Sequence, residues 1–419
     1  MRSFALLCLF LPVAFSFPRN APLNIRSTPT TTEVQDGQTG TLMVLPPQAT
    51  ETGTKQIPDA DHPFIAPGPK DQRGLVLAAM NTLANHGYIP RNGIATFEEI
   101  VLALMEVCAI LLCESIQPRI ALWSKYGCNQ YGNIAQATWH RTHSTVKLTR
   151  GNPFVNKISV GGVSPLVPPL PGKIDGPETG GIAKHGRFEG DASMTRADAF
   201  IGDNRNFQDI LYDFDLLQLG KFGDNGPDGN NTVFNLATLI GMKQQNIQMD
   251  QAANIEFQFA ARRMNAAYNE AALMLTSTNL EFITSVFANG TTKQATLPII
   301  GSFFRNQTFP PNWFRPASPV TAAINGAVAS QLFASIGVPP GRNDANGVYV
   351  ADPAPPPPFN SSFGCTAYFD QSGNTPGVLV NTTGIFKQNV DLLTGLTFTA
   401  ASANPGCDQQ ILPFGPADV

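Results

Sequence analysis

The chain has 419 residues, enough for one large domain or for two or three of average size. Its net charge of −4 and a pI near 5.8 give no electrostatic basis for binding nucleic acid or an anionic membrane. Only 14% of the residues are charged, whereas glycine (37 residues) and proline (35 residues) are abundant, which predicts long loops.

Residues 1–16 have the pattern of a secretory signal peptide. Arg2 precedes an apolar run, and Ala14 and Ser16 are small residues suited to positions −3 and −1 of a cleavage site. The run is too short to span a membrane, so we expect a secreted protein. N-x-Ser/Thr sequons agree with that route and are candidate glycosylation sites: Asn230, Asn289, Asn306, Asn360 and Asn381.

The cysteines also bear on the secreted route. Cys8 leaves with the signal peptide, and an odd number then remains: Cys108, Cys113, Cys128, Cys365 and Cys407. In an oxidising compartment at least one thiol must stay unpaired. Cys365 and Cys407 flank the C-terminal segment and are predicted to form a disulfide, which would stabilise the fold by about 4 kcal/mol through its loop.

The remaining sequence divides into three parts. Residues 17–60 are rich in Thr, Pro, Gln and Gly, with few large apolar side chains, and predict an extended or disordered arm. Order is expected from Asp61, with one helical domain over residues 61–338. Residues 339–419 are loop-rich, include a stiff polyproline spacer at 355–358, and are expected to pack on the helical domain.

The first strong helix signal follows Thr96. Thr96 and Glu99 form a capping box, and residues 100–112 after it are apolar nearly all round, which predicts a buried core helix. His86, in the turn-rich segment before it, is interpreted as a buried and hydrogen-bonded side chain rather than a metal ligand.

Three more helices are predicted further along the chain. Apolar residues at helical spacing indicate one over residues 206–219 and another over 233–245. Asp250 is expected to cap the longest helix, which would run to about Leu275. Between the first two, residues 224–231 resemble a calcium loop, but Pro227 and the missing twelfth-position Glu predict a turn instead.

Residues 188–198 contain three acids, two hydroxyls and an arginine within a length of little more than two helical turns. Glu189, the Gly190 carbonyl and Ser193 could supply three corners of the octahedron of oxygens that Mg²⁺ prefers. Alternatively, the stretch is a helix start with Asp191 or Ser193 as N-cap. On chemistry alone the helix start is the stronger interpretation.

Arg263 and Glu270 are a second candidate pair. Two turns of the predicted helix would bring both side chains to one face, about 10 Å apart along the axis. Pattern alone favours a solvated helix face.

Four motifs together carry a resemblance to a known family. They are A-P-G-P-x-D-x-R followed by N-x-L-A-N-H-G-Y-I-P (residues 66–90), E-G-D-A-S-x-x-R-x-D (189–198), D-N-R-N-F (203–207) and R-x-x-x-A-Y-x-E (263–270). With them the chain resembles the fungal heme-thiolate peroxidases, the chloroperoxidase and unspecific peroxygenase family.

The resemblance implies a mainly α fold: a single multi-helix, chloroperoxidase-like heme domain with long loops and little β structure. It implies Glu270 as the distal acid–base group and Arg263 as its charge-stabilising partner. Glu189, Gly190 and Ser193 would bind Mg²⁺ against a propionate of heme b. The expected function is a secreted heme-thiolate peroxidase or peroxygenase that uses hydrogen peroxide to oxidise or oxygenate a small organic substrate.

The main departure from the family lies between Arg73 and Asn81. The family carries a Pro-Cys-Pro run there, and its thiolate is the axial ligand to heme iron. Here the missing cysteine aligns with Val76 or Leu77, and an aliphatic side chain has no lone pair to offer. The chain is therefore either a degenerate family member or the product of a mis-spliced gene model. If the loss is real, the alternative function is a catalytically silent secreted binding protein.

Overall fold

The structure is a computed structural model of the chain. It describes residues 32–35, 38–42, 53–68, 78–91, 94–108, 145–147, 191–198, 200–203, 206–272, 274, 287–317 and 322–373, with 383–385, 387–389, 391, 395, 398 and 407–410 near the C-terminus.

Helices dominate the described residues. They are α1 (Ala78–His86), α2 (Phe97–Cys108), α3 (Asp209–Phe222), α4 (Leu236–Ala253), α5 (Ala261–Ala272), α6 (Leu297–Gly301), α7 (Ala322–Ile336) and α8 (Phe363–Gly373). A π-helical turn, Ser302–Asn306, continues α6. Helix accounts for 46% of the described residues and strand for 9%, which confirms the mainly α prediction.

The strands form four small antiparallel sheets. Three sheets are two-stranded: β1 (Thr32–Gln35) with β2 (Gln38–Thr41), β3 (Ile94–Thr96) with β4 (Thr145–Lys147), and β5 (Asp224–Gly226) with β6 (Gly229–Val233). The fourth has the order β7 (Gln258–Phe259), β8 (Gly341–Asn343), β9 (Tyr349–Ala351). The segment that resembled a calcium loop is therefore the β5–β6 hairpin.

Helix α5 lies at the centre of the fold. It packs between α7 and α8, and α4 also packs against α7. The Tyr268 ring of α5 contacts Phe259 on β7, Phe333 on α7 and Phe363 on α8, at centroid distances of 5.8, 6.4 and 6.0 Å. Segments distant in sequence thus meet on one helix, and burial of these rings stabilises it.

The prediction that Asp250 caps a long helix is wrong. Asp250 lies in the last turn of α4, which runs from its N-cap Asn235 to its C-cap Asn254. The chain then forms the short strand β7 before α5 begins at Ala261. Sequence alone does not show that the helix before Asp250 continues past it, so the acid resembles the cap of the next helix.

Helix α3 confirms the helical prediction, with bounds shifted by three residues. Its buried side chains are Tyr212, Asp215 and Leu219. Of the apolar residues that indicated the helix, three are exposed, with Ile210 at 76%, and two are half-buried: Ile210, Phe214 and Leu217 are exposed, and Phe207 and Leu211 are half-buried. The apolar spacing therefore indicated the helix but not its core face.

The ordered chain begins earlier than Asp61. Ile57 is fully buried in the core, and the N–H groups of Ile57 and Gly53 donate to the carbonyls of Trp313 and Ala317. These contacts hold residues 53–57 against the main body, although their composition predicted an arm.

The C-terminal part is joined to the central helix. β8 pairs with β7, α8 packs on α5, and a disulfide links Cys365 of α8 to Cys407 with 4.9 Å between their Cα atoms. Both cysteines are buried.

Candidate active site

Helix α5 carries both members of the candidate acid–base pair. Its sequence contains five alanines and two arginines, residues that favour helix, and β7 leads directly into it. Arg263 in its first turn is 1% exposed, and Glu270 two turns later is half-buried. A solvated face is therefore wrong for Arg263, because its cation is withdrawn from bulk water.

The 191–198 loop packs against the strand that precedes this helix. The Asp191 N–H donates to the Gln258 carbonyl at 3.4 Å, and the Gln258 N–H donates back to Asp191 Oδ2 at 2.8 Å. These two contacts attach the loop to β7, five residues before Arg263. The residues form no helix, so the interpretation of Asp191 or Ser193 as an N-cap is wrong.

Asn254, the C-cap of α4, connects the two buried acids of the loop. Its side-chain amide donates to Asp191 Oδ2 at 3.2 Å and to Asp198 Oδ2 at 2.9 Å. Its carbonyl accepts a hydrogen bond from the Asn343 side chain on β8 at 2.8 Å. Sequence reasoning missed Asn254, because only the tertiary fold brings it to the loop.

Burial controls the electrostatics of this acid cluster. Burial, and then the charge of Asp198, raise the pKa of Asp191 well above its usual range, while the Arg263 charge acts to lower it. Burial and Asp198 likewise raise the pKa of Asp250 to about 8. The cluster therefore retains protons that exposed carboxyls would release.

Ala192 has an unusual backbone conformation within the loop. Its φ of +64° lies in the left-handed region, which costs an alanine about 1–2 kcal/mol. The residue is 0% exposed, and its N–H donates to Asp198 Oδ1 at 2.9 Å. Lys243 of α4, itself 8% exposed, donates from Nζ to the Ala192 carbonyl at 3.2 Å.

The candidate metal ligands are only partly described. Ser193 is half-buried, and its Oγ accepts the Thr195 N–H at 3.3 Å. Glu189 and Gly190 lie outside the described residues, so the trio stays a prediction. In the part of the chain that the structure covers, no three His, Cys, Asp or Glu side chains form a metal-binding group.

The proximal segment does not fit a thiolate-ligated heme. Val76 and Leu77 lie outside the described residues, and no cysteine occurs between Arg73 and Asn81. Met80 on α1 carries the thioether of this segment, and its side chain is packed in the hydrophobic core. This segment therefore offers heme iron no thiolate ligand.

His86 has the structural role that the sequence indicated. It is buried, its Nδ1 lies 2.9 Å from the His62 carbonyl, and its Nε2 lies 2.9 Å from Thr308 Oγ1. Burial lowers the pKa of His86, which favours the neutral ring.

The sequons differ in accessibility. Asn230, Asn306 and Asn360 are exposed, whereas Asn289 is half-buried and donates from Nδ2 to the Asn312 carbonyl at 2.9 Å. Asn381 lies outside the described residues. Glycosylation at all five stays a prediction. No helix among the described residues is long and apolar enough to cross a membrane.

Comparison with known proteins identifies the class. A family model described as "Peroxidase, family 2" matches residues 62–318. The aromatic peroxygenase of Cyclocybe aegerita is 30% identical over 316 residues, covering 74% of this chain and 72% of that protein. The aromatic peroxygenase of Coprinellus radians is 30% identical over 273 residues, covering 65% and 89% respectively. The dothistromin biosynthesis peroxidase of Dothistroma septosporum is 28% identical over 277 residues, covering 61% and 55%.

The mainly helical fold agrees with the fold that the resemblance implied. The chain belongs to peroxidase family 2. The resemblance to fungal heme-thiolate peroxidases is confirmed, and peroxidase or peroxygenase is the class of function that the family and relatives support.

Proposed function

We propose that the chain is a secreted, peroxide-dependent oxidoreductase that oxidises or oxygenates a small organic substrate. The observation that carries the proposal is α5, which holds the buried Arg263 and the half-buried Glu270 on one continuous helix. Two relatives are named aromatic peroxygenases, so aromatic compounds are the first substrates to test.

Glu270 and Arg263 have complementary roles in this proposal. The Glu270 carboxylate would take a proton from bound hydrogen peroxide and return it to the leaving oxygen. The nearby cation of Arg263 would favour the ionised form of Glu270 and stabilise developing negative charge. Because Arg263 is buried, solvent screens its charge less than it would on the surface.

The cofactor of the family is heme, and a thiolate-ligated heme supplies the peroxide-activating chemistry. Glu189, the Gly190 carbonyl and Ser193 would hold Mg²⁺ against a heme propionate. Support comes from the 191–198 loop, which hydrogen-bonds to the strand leading into α5 and so lies beside the distal helix.

The missing axial cysteine favours a second candidate function. With Val76 and Leu77 at the aligned positions, the chain would keep the fold but lack the thiolate. It would then act as a catalytically silent secreted binding protein. Resequencing the transcript across the codons for residues 74–80 distinguishes a true loss from a mis-spliced gene model.

One titration separates the two functions. The full chain, expressed as written, is titrated with hemin, reduced under CO and assayed for peroxide-dependent oxidation of an aromatic compound. The enzyme proposal expects hemin uptake and peroxide-dependent oxidation, and a red-shifted Soret band under CO would indicate a thiolate ligand. A folded chain without hemin uptake would overturn it and support the binding protein.

A further inference from the structure

The backbone of Ala192 requires an explanation beyond local sequence. Its φ of +64° lies in the region that glycine enters freely and that an L-residue avoids. Such conformations persist only where surrounding contacts enforce them, and they are common at functional sites. The strained residue directly precedes Ser193, a candidate metal ligand.

Both peptide groups next to Ala192 are held by side chains from outside its own turn. Asp198 Oδ1 accepts the Ala192 N–H at 2.9 Å. Lys243 Nζ, from the middle of α4, donates to the Ala192 carbonyl at 3.2 Å. The two contacts act on opposite sides of one Cα, so together they restrict both φ and ψ.

The two holding side chains are themselves fixed. Asn254 donates to the second oxygen of Asp198 at 2.9 Å. Lys243 is buried on α4, and its charge acts on two neighbouring carboxyls, where it opposes the effect of burial on the pKa of Asp215 and of Asp250.

We propose that Lys243 and Asp198 are positioning residues that hold Ala192 in the left-handed conformation and thereby present the Ser193 hydroxyl to a divalent cation. The inference rests on the metal-binding role proposed for Ser193. Neither Lys243 nor Asp198 is proposed as a ligand of the cation. Their effect is to fix the direction in which the chain leaves Ala192.

The test compares Lys243→Met, Ala192→Gly and the double variant in the full chain. Lys243→Met keeps an unbranched stem but removes the donor, so Ala192 should relax. Mn²⁺ binding, followed by electron paramagnetic resonance as a probe for the Mg²⁺ site, should weaken about 10- to 100-fold. Hydrogen exchange of the peptide covering residues 192–198 should accelerate in parallel.

Ala192→Gly separates positioning from general stability. Glycine adopts a φ of +64° without a Cβ penalty, so the loop depends less on Lys243. Adding Lys243→Met to Ala192→Gly should therefore cost clearly less Mn²⁺ affinity than adding it to wild type. Gln244→Met is the matched control: Gln244 is next to Lys243 on α4, is half-buried, and donates to the Ser335 carbonyl at 3.4 Å rather than to the loop. It should leave both measurements unchanged.

Each outcome decides the proposal. The proposal is overturned if folded Lys243→Met keeps the wild-type Mn²⁺ affinity and hydrogen-exchange rate. It is also overturned if Lys243→Met costs the same Mn²⁺ affinity with alanine as with glycine at position 192. If Lys243→Met does not fold, a folded double variant supports the proposal and an unfolded one overturns it. If Mn²⁺ does not bind to the wild type, or if Ser193→Ala leaves its binding unchanged, the proposed metal site is wrong. The hydrogen-exchange measurement alone then decides whether Lys243 holds Ala192.

Discussion

The carboxylate of Asp191 accepts a hydrogen bond from the backbone N–H of Gln258, with 2.8 Å between nitrogen and Oδ2. Gln258 lies on β7, so this contact attaches the 191–198 loop to the strand that leads into α5. The candidate metal loop and the helix carrying Arg263 are therefore one packed unit. A substitution in the loop should also affect α5.

Asp191→Ala should destabilise the fold. It removes the acceptor for two buried donors, the Gln258 N–H and the Asn254 amide, and an unsatisfied buried donor costs about 1–3 kcal/mol. Urea denaturation followed by circular dichroism measures the loss. Asp228→Ala, in the exposed β5–β6 turn, is the control. Equal stability of the two variants would contradict the hydrogen-bonding role of Asp191.

Glu270→Gln should lower the turnover number of peroxide-dependent oxidation about 10²- to 10⁴-fold, because an amide cannot shuttle the proton. Steady-state kinetics of the hemin-loaded chain measure it. Glu256→Gln replaces an exposed glutamate between α4 and α5 and should keep full activity. An active Glu270→Gln variant would remove Glu270 from the proposed mechanism.

Asp215 should make folding stability depend on pH. Burial raises the pKa of its carboxyl to about 8, against Asn246, Lys243 and Gln245, which lower it. The folded state thus keeps a proton that the unfolded chain, with a pKa of 3.8, loses. The contribution of Asp215 to stability should fall as pH rises from about 4 to 8, by at most about 1.4 kcal/mol per pH unit.

Denaturation midpoints across this range measure that slope. Asp215→Asn should reduce it, because the amide does not titrate. Asp213→Asn, at an exposed position of the same helix, should keep the wild-type slope. An unchanged slope in Asp215→Asn would show that Asp215 does not keep its proton.

Breaking the Cys365–Cys407 disulfide should lower the free energy of unfolding by about 2–4 kcal/mol. The bond closes a loop with a sequence separation of 42, whose entropy the unfolded chain would regain. Thermal unfolding with and without reductant measures the loss. A Cys365→Ser/Cys407→Ser variant should match the reduced protein and should not respond further to reductant.

Two glycines should respond to alanine in opposite directions. At Gly341 an added Cβ would lie 2.3 Å from the Val350 carbonyl oxygen on β9, so Gly341→Ala should destabilise by about 1–3 kcal/mol. At Gly220 in α3 nothing lies within 4 Å, so Gly220→Ala should stabilise by about 0.5–1 kcal/mol. Chemical denaturation compares both, and equal effects would contradict the packing of β8 on β9.

Local patterns predicted the helices well and their packing poorly. The capping box before α2, the helical spacing of α3, and Arg263 with Glu270 on one helix depend on neighbours a few residues apart. The division between α4 and α5 was predicted near residue 250 instead of at residues 254–260, because the pairing of β7 with β8 depends on residues more than 80 positions later in the chain.

The candidate site was only partly predictable for the same reason. The E-G-D-A-S motif identified the loop, but not the left-handed Ala192 or the contacts that hold it. Lys243 and Asn254 belong to no recognisable motif and gain their roles only when α4 packs beside the loop. Conversely, the exposure of Ile210 shows that an apolar residue at helical spacing need not face the core.

The position of α5 between α7 and α8 has a consequence for biosynthesis. A growing chain leaves the ribosome N-terminus first, so α5 emerges before either helix that covers it. The aromatic surroundings of Tyr268 are complete only after Phe333 and then Phe363 have been synthesised. The disulfide that joins α8 to a later segment needs Cys407, 42 residues after Cys365. The helix bearing the candidate catalytic pair is thus enclosed only after α8 has been synthesised, and a chain terminated before α8 would leave it uncovered.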